Sequence, residues 1–168
     1  MSEIDVYTRD TVPKGLRHTL ALYHDEVCRG QVNRAYTMGQ IRNSKIDLYI
    51  ICTREVGRGT RSGAKRVELL GFLIAQKRKH AMYLDVVCAR RGFGGPLITR
   101  FEQEAVRAGY GAAELKAIPA AESFWKKKGF RRLPPTKACK TGVRQKRVGT
   151  AEDGFRMSKC LRSVAIEE

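Results

Sequence analysis

The spacing of apolar residues alternates between strand and helix periods, and the changes divide the chain into elements. Residues 4–8 read as a short strand, after which Leu16, Leu20, Tyr23 and Val27 fall on one side of a helix. A weaker helical pattern covers 32–42, where Val32, Tyr36 and Ile41 share a side only roughly. Three runs rich in β-branched and aromatic residues follow at 46–53, 67–76 and 81–88, separated by Gly-rich or basic turns, which predicts an antiparallel meander. After Cys88 the period lengthens: Leu97, Ile98, Phe101, Ala105 and Ala108 recur at helical intervals as far as Gly109, a helix stop. Residues 112–118 read as a further strand. Pro119 suits the first turn of a short helix that carries Ala121, Phe124, Trp125 and Lys128 on one side and ends at Gly129. Phe130 and residues 155–161 supply the last strands, and 131–150 between them read as a basic surface loop. With no internal repeat, the 168 residues are expected to form a single α/β domain.

Charge and cysteine content narrow the setting more than the chemistry. A formal net charge of +16 gathers anions of every kind and does not choose among nucleic acid, acidic protein, membrane surface and phosphate-rich cofactor. The excess is densest from Lys126 to Arg147, where no acidic residue occurs. Such a segment is either a solvated face or a contact for a polyanion. No aromatic residue lies between Phe130 and Phe155 to stack on bases, so nucleic acid would be held there by charge. Cys28, Cys52, Cys88, Cys139 and Cys160 form an odd set without paired zinc-ligand spacing and are read as reduced thiols, with no metal. The charged start, with Glu3, Asp5, Arg9, Asp10 and Lys14, lacks the apolar core of a secretory signal, and the longest apolar stretch, 48–52, is too short to span a bilayer. A cytosolic or nuclear protein without membrane contact is expected.

The chemistry concentrates after the third of the strand runs. Val86, Val87 and Cys88 close a strand, and Gly92-Phe93-Gly94-Gly95-Pro96-Leu97 then turns into a helix. The first amides of a helix lack internal acceptors and sit at the positive end of its dipole, so this arrangement stabilises a phosphate. Glycine permits the sharp turn and a close ligand approach. A dinucleotide-binding turn would need a third glycine where Leu97 stands, and a P-loop would need Gly-Lys followed by Ser or Thr; neither is present. Taken alone, the glycines are also compatible with a turn that binds nothing.

Gly92-Phe93-Gly94-Gly95-Pro96-Leu97-Ile98 resembles the Gly-x-Gly-x-x-Leu core of motif A of the GCN5-related N-acetyltransferase (GNAT) family, whose members bind the coenzyme A pyrophosphate on these amides. Downstream, Ala121-Glu122-Ser123-Phe124-Trp125-Lys126-Lys127-Lys128-Gly129-Phe130 is similar to motif B, a short helix closed by Gly-Phe. The resemblance covers roughly the second half of the chain. It implies a GNAT-like α/β (α+β) fold, a twisted mixed and mostly antiparallel sheet flanked by helices, whose fourth and fifth strands splay to admit the pantetheine arm. It also implies acetyl-CoA as cosubstrate. Its contacts would be the backbone of Val86, Val87 and Cys88, then Arg91, Gly92, Phe93, Gly94, Gly95, Pro96 and Leu97, and finally Phe124, Trp125 and Lys128.

Several positions depart from the family pattern. Ala89 stands where Gln or Arg is usual, with Arg90 and Arg91 beside it as substitutes; Pro96 removes one amide donor; Ile118 replaces a frequent Asn. Trp125 occupies the place of a tyrosine that protonates the departing thiolate in many members. An indole N–H donates a hydrogen bond but releases no proton near neutral pH, so that role passes to water or is dispensed with. For the base that deprotonates the attacking ammonium, Asp85 is the first candidate, because burial in an apolar strand would raise its pKa. Strand alternation sets Asp85 opposite Val86, which leaves a solvent-facing carboxylate as the competing reading. Glu68, Tyr83, His80 and a water relay are the other candidates. Cys88 reads as a small buried thiol rather than an acyl-carrying nucleophile.

The expected function is acetyl-CoA-dependent transfer of an acetyl group to an amine in a ternary complex. The acceptor would be a small amine or an amine of a protein, and the positive field would oppose strongly cationic acceptors. From a different class, the alternative is a noncatalytic nucleic-acid-binding module that retains the fold and binds through the segment from Lys126 to Arg147.

Overall fold

The computed structural model describes residues 1–58, 63, 65–133 and 154–161. Its elements are β1 (Ser2–Thr8), α1 (Leu16–Cys28), α2 (Arg34–Arg42), β2 (Leu48–Arg58), β3 (Lys65–Lys77), β4 (Met82–Ala89), α3 (Gly94–Arg107), β5 (Ala112–Ala117), a 3-10 turn (Pro119–Ala121), α4 (Glu122–Lys127), β6 (Arg131–Arg132) and β7 (Phe155–Cys160). The strands form one mixed sheet in the order β1-β2-β3-β4-β5-β7-β6. β4 runs parallel to β5, whereas β1 with β2, β2 with β3, β5 with β7 and β6 with β7 are antiparallel. The first two runs of the expected meander pair antiparallel as β2 and β3, with β4 next to β3 in the sheet, and the mixed sheet with helices is present. The ladder between β4 and β5 covers Met82↔Ala113 to Leu84↔Leu115.

Packing divides the chain into two units, Met1–Gln76 with Val86–Phe101, and Lys77–Asp85 with Glu102–Glu168. In the first, Leu16, Leu20 and Val27 of α1 and Ile41 of α2 bury their side chains with Tyr49, Ile51, Leu69, Phe72, Ile74 and Val86 of the strands. β3 is buried without interruption from Leu69 to Ala75, as its unbroken apolar run requires when both faces are covered. The weakly patterned second helix forms because Asn33 caps it, accepting a hydrogen bond from the Tyr36 amide at 3.2 Å. His24 then ties it to α1: the ring is 1% exposed, with Nε2 2.9 Å from Thr37 Oγ1.

In the second unit, β5 and β7 pair along six positions from Ala112↔Cys160 to Ala117↔Phe155. α4 is held by aromatic packing, since Trp125 lies edge-on to Phe124 at 5.1 Å and to Phe130 at 5.4 Å. Glu122 clips the same region through Arg132 Nη2 at 2.6 Å and Lys126 Nζ at 3.0 Å. Hydrogen bonds from Arg132 and Lys126 outweigh partial desolvation and hold the Glu122 carboxyl at about 2. Of the expected basic loop, Arg131 and Arg132 form β6 and pair with β7, while 134–150 lie outside the described residues. Among the described residues, no helix is long and apolar enough to cross a membrane.

The reading of the cysteines as reduced thiols is overturned. Cys28 at the end of α1 and Cys88 in β4 form a disulfide, with Cα atoms 4.8 Å apart across a sequence separation of 60. Cys160 is also disulfide-bonded, whereas Cys52 is a buried free thiol whose pKa burial pushes up. Sequence spacing carries no sign of such a pair, because helix and strand meet only after folding. Disulfides are rare in reducing compartments, so the cysteines no longer argue for a cytosolic setting. The Cys28–Cys88 bond closes a long loop and restricts the unfolded chain. Replacing both residues with alanine is expected to lower the unfolding free energy by about 2–4 kcal/mol in urea titrations, and an unchanged midpoint would contradict that role.

Candidate functional site

The tail of β4 enters the glycine turn with alternating exposure: Val86 and Cys88 are buried, while Val87 and Ala89 are only partly covered. The Arg90 amide donates to the Leu70 carbonyl at 2.8 Å and the Phe93 amide to the Arg90 carbonyl at 3.0 Å, which closes the turn. Gly92 has φ +91°, a conformation that favours glycine, and its surroundings are open. α3 begins at Gly94, three residues before the start of the apolar periodicity, because the turn itself supplies the first helical residues. Leu97 N–H donates to Phe93 O at 3.4 Å and Pro96 has no N–H, so this amide and this position offer nothing to a ligand. The amides of Gly92, Gly94 and Gly95 have no acceptor among the described residues. A Cβ at Gly94 would meet only Ala89 Cβ, at 3.8 Å, so the space beside this amide is open. The turn thus presents free donors at the positive end of a 14-residue helix and suits a phosphate group.

The two arginines before the turn have separate fates. Arg90 reaches Glu26 Oε1 at 2.7 Å and Glu68 Oε1 at 3.0 Å, and Arg54 holds the other Glu68 oxygen at 2.8 Å. Arg90 is therefore engaged within the protein. Arg91 is exposed and makes no ion pair among the described residues, which leaves it the freer cation of the two. The Arg54 hydrogen bond, aided by the charges of Arg90 and Arg54, lowers the Glu68 pKa against desolvation. Glu68 accordingly stays a carboxylate and is poorly suited to take a proton at neutral pH.

Gly71 escaped the sequence reading. It faces Cys52 where the β2–β3 register shifts, and a Cβ there would lie 2.8 Å from Leu97 Cδ1, 2.9 Å from the Cys88 carbonyl oxygen and 3.0 Å from Ala89 Cβ. Only glycine lets β3 approach the end of β4 and the start of α3 this closely. The signal was present in the sequence as one glycine inside an apolar strand, which often marks a bulge or close backbone approach.

Asp85, Phe124, Trp125 and Lys128 belong to the second unit. Asp85 is partly buried with Oδ2 fully covered, on the same side of β4 as Tyr83. Burial raises the Tyr83 phenol pKa and the Asp85 charge adds to this, while Arg78 and Arg156 oppose it. Arg78 stacks 3.5 Å above the Tyr83 ring, and Glu114, opposite Tyr83 in the ladder, is buried and bonded to Arg156 at 3.2 Å. Trp125 is 6% exposed among aromatic neighbours, which makes it a packing residue; Phe124 is 41% exposed, with Lys128 Nζ 5.7 Å from its ring centroid. Among the described residues, no group of three His, Cys, Asp or Glu side chains is placed to hold a metal ion.

No family model matches the sequence, and no curated protein does. Solved structures do match its fold. Tetrahymena GCN5 superposes with a TM-score of 0.64 at 14% identity, covering 97% of this chain and 98% of that one. An acyl-CoA N-acyltransferase from Pseudomonas aeruginosa gives 0.63 at 14% identity, with 95% and 100% covered. The ribosomal-protein-S18-alanine N-acetyltransferase from Escherichia coli gives 0.57 at 14% identity, with 100% and 99% covered. The chain has the GNAT fold. At these identities the match concerns the fold, and activity has to be argued from the residues.

The contrast between the two glycines gives a direct test. Gly71→Ala overpacks a contact made partly by backbone and is expected to cost about 1–3 kcal/mol in urea unfolding. Gly94→Ala, with open space around it, is expected to leave stability unchanged or raise it by up to about 1 kcal/mol. The reverse ranking would contradict the close approach at Gly71.

Proposed function

We propose that this protein is an N-acetyltransferase that uses acetyl-CoA. The observation that carries the reading is the set of free amides at Gly92, Gly94 and Gly95, heading α3 directly after β4. These amides would hold the coenzyme pyrophosphate, and Arg91 would add positive charge beside it. The backbone of Val86, Val87 and Cys88, beyond the β4–β5 ladder, would bond the pantetheine amides as an added strand does. The coenzyme supplies an acyl group activated as a thioester.

Direct attack by an amine asks two things of the protein. The ammonium must lose a proton before it becomes nucleophilic, and we assign that proton to Asp85, directly or through water. As the amine nitrogen bonds to the acyl carbon the C–S bond breaks, and the thiolate, a good leaving group, takes a proton from water because the Trp125 indole releases none. The acceptor is an amine of a small molecule or a protein.

Acetyl-CoA is expected to raise the melting temperature, since coenzyme at a hundred times its dissociation constant adds about 2.7 kcal/mol. Gly94→Glu should fold, because its Cβ has room, yet lose the shift by placing a carboxylate where the pyrophosphate would lie. A wild-type protein with no shift at millimolar coenzyme refutes the assignment. For Trp125→Phe the expectation is lower stability with turnover per bound coenzyme largely kept, measured as thiol release in a panel of amines. A fall of about a hundredfold or more in a fully folded variant would instead make the indole a participant in the chemistry.

A further inference from the structure

At the opposite end of α1 from Cys28, the chain leaving β1 turns into the helix over a cavity of about 350 Å³. The helix is 13 residues long, which puts about 20 Å between this cavity and the disulfide that adjoins the glycine turn. Val12, Leu16 and Ile41 form its apolar wall, and Tyr49, Lys14 and Arg17 supply polar atoms. The volume falls within the range of small-molecule sites, about 300–1,000 Å³.

The charges around it are distributed unevenly. Arg9 is engaged by the Ile46 carbonyl at 3.2 Å and by Asp47 at 3.5 Å. Lys14 and Arg17 make no ion pair or hydrogen bond among the described residues, and the first turn of α1 has no acidic side chain to neutralise them. Tyr49 is 3% exposed, and its hydroxyl makes only a long hydrogen bond, 3.4 Å to the Ile41 carbonyl. Burial and the Asp47 charge raise its pKa while the charges of Arg9 and Arg17 pull it down, so the phenol keeps the proton it donates to Ile41 near neutral pH. Two exposed cations without an ion pair beside an apolar lining complement a molecule with an anionic head and a short hydrocarbon body.

We propose that this cavity binds a small amphipathic anion, a carboxylate on a short apolar chain, with Lys14 and Arg17 at its head group and Val12, Leu16 and Ile41 along its body. The site is separate from the glycine turn, and the inference does not depend on the acetyltransferase reading.

Calorimetric titration of the whole chain with hexanoate, hexan-1-ol and hexylamine tests it, because the three share one apolar body and differ in head-group charge. Hexanoate is expected to bind saturably and at least about tenfold more tightly than the other two. Lys14→Gln combined with Arg17→Gln should weaken hexanoate binding about tenfold or more and leave the ligand-free melting temperature nearly unchanged, since both side chains are exposed. Lys79→Gln combined with Lys127→Gln removes the same charge elsewhere and should leave hexanoate affinity intact. Saturating coenzyme A should not displace hexanoate. The proposal is overturned by no saturable heat up to about ten millimolar hexanoate, by equal binding of the three probes, by equal effects of the two double variants, or by displacement with coenzyme A.

Discussion

The close approach at Gly71 is the constraint on which the glycine turn depends. A strand, the end of its neighbour and the start of a helix converge on a point where even a methyl group would meet Leu97, the Cys88 carbonyl and Ala89 at 3.0 Å or less. The Arg90 amide is anchored to Leu70, the residue before this glycine, so the turn inherits its position from β3. Free amides bind an anion well only when they are already aimed, because ordering them on binding would cost conformational entropy. Packing at Gly71 supplies that order before any ligand arrives.

Charge in this protein acts through its local pairing more than through its sum. Although the chain carries +16, Arg90 is spent on Glu26 and Glu68, Arg132 and Lys126 on Glu122, and Lys159 on Glu102 at 2.7 Å. Among the described residues, the unpaired cations that lie beside particular features are Arg91 at the turn and Lys14 and Arg17 at the cavity. Each of these pairs keeps at least partial contact with solvent, and solvent-screened pairs contribute little stability each. Their effect is to decide which cations are left over.

The second unit shows how Trp125, standing where the resembled motif often has a tyrosine, is accommodated. Trp125 replaces a tyrosine hydroxyl with a larger apolar surface, and the structure uses that surface against Phe124 and Phe130. Tyr83 retains its phenolic proton for a related reason, burial beside Asp85. Neither residue is arranged to release a proton near neutral pH, which fits chemistry in which the thiolate leaves unprotonated.

The order of elements, the glycine turn and the resemblance of its motif were legible in the sequence, because each rests on neighbours a few positions apart: helical or strand periodicity, and glycines at the head of a helix. The GNAT-like fold was what the resemblance of those motifs implied, and the solved structures match it. Contacts between distant segments were decided by the tertiary structure. It joined Cys28 to Cys88, committed Arg90 to Glu26 and Glu68 while leaving Arg91 exposed, and turned a single glycine in an apolar strand into the closest backbone approach beside the turn. It also set Lys14 and Arg17 beside Tyr49 over a cavity. These arrangements depend on which side chains meet across elements, and local periodicity records which face is apolar but not what that face will touch.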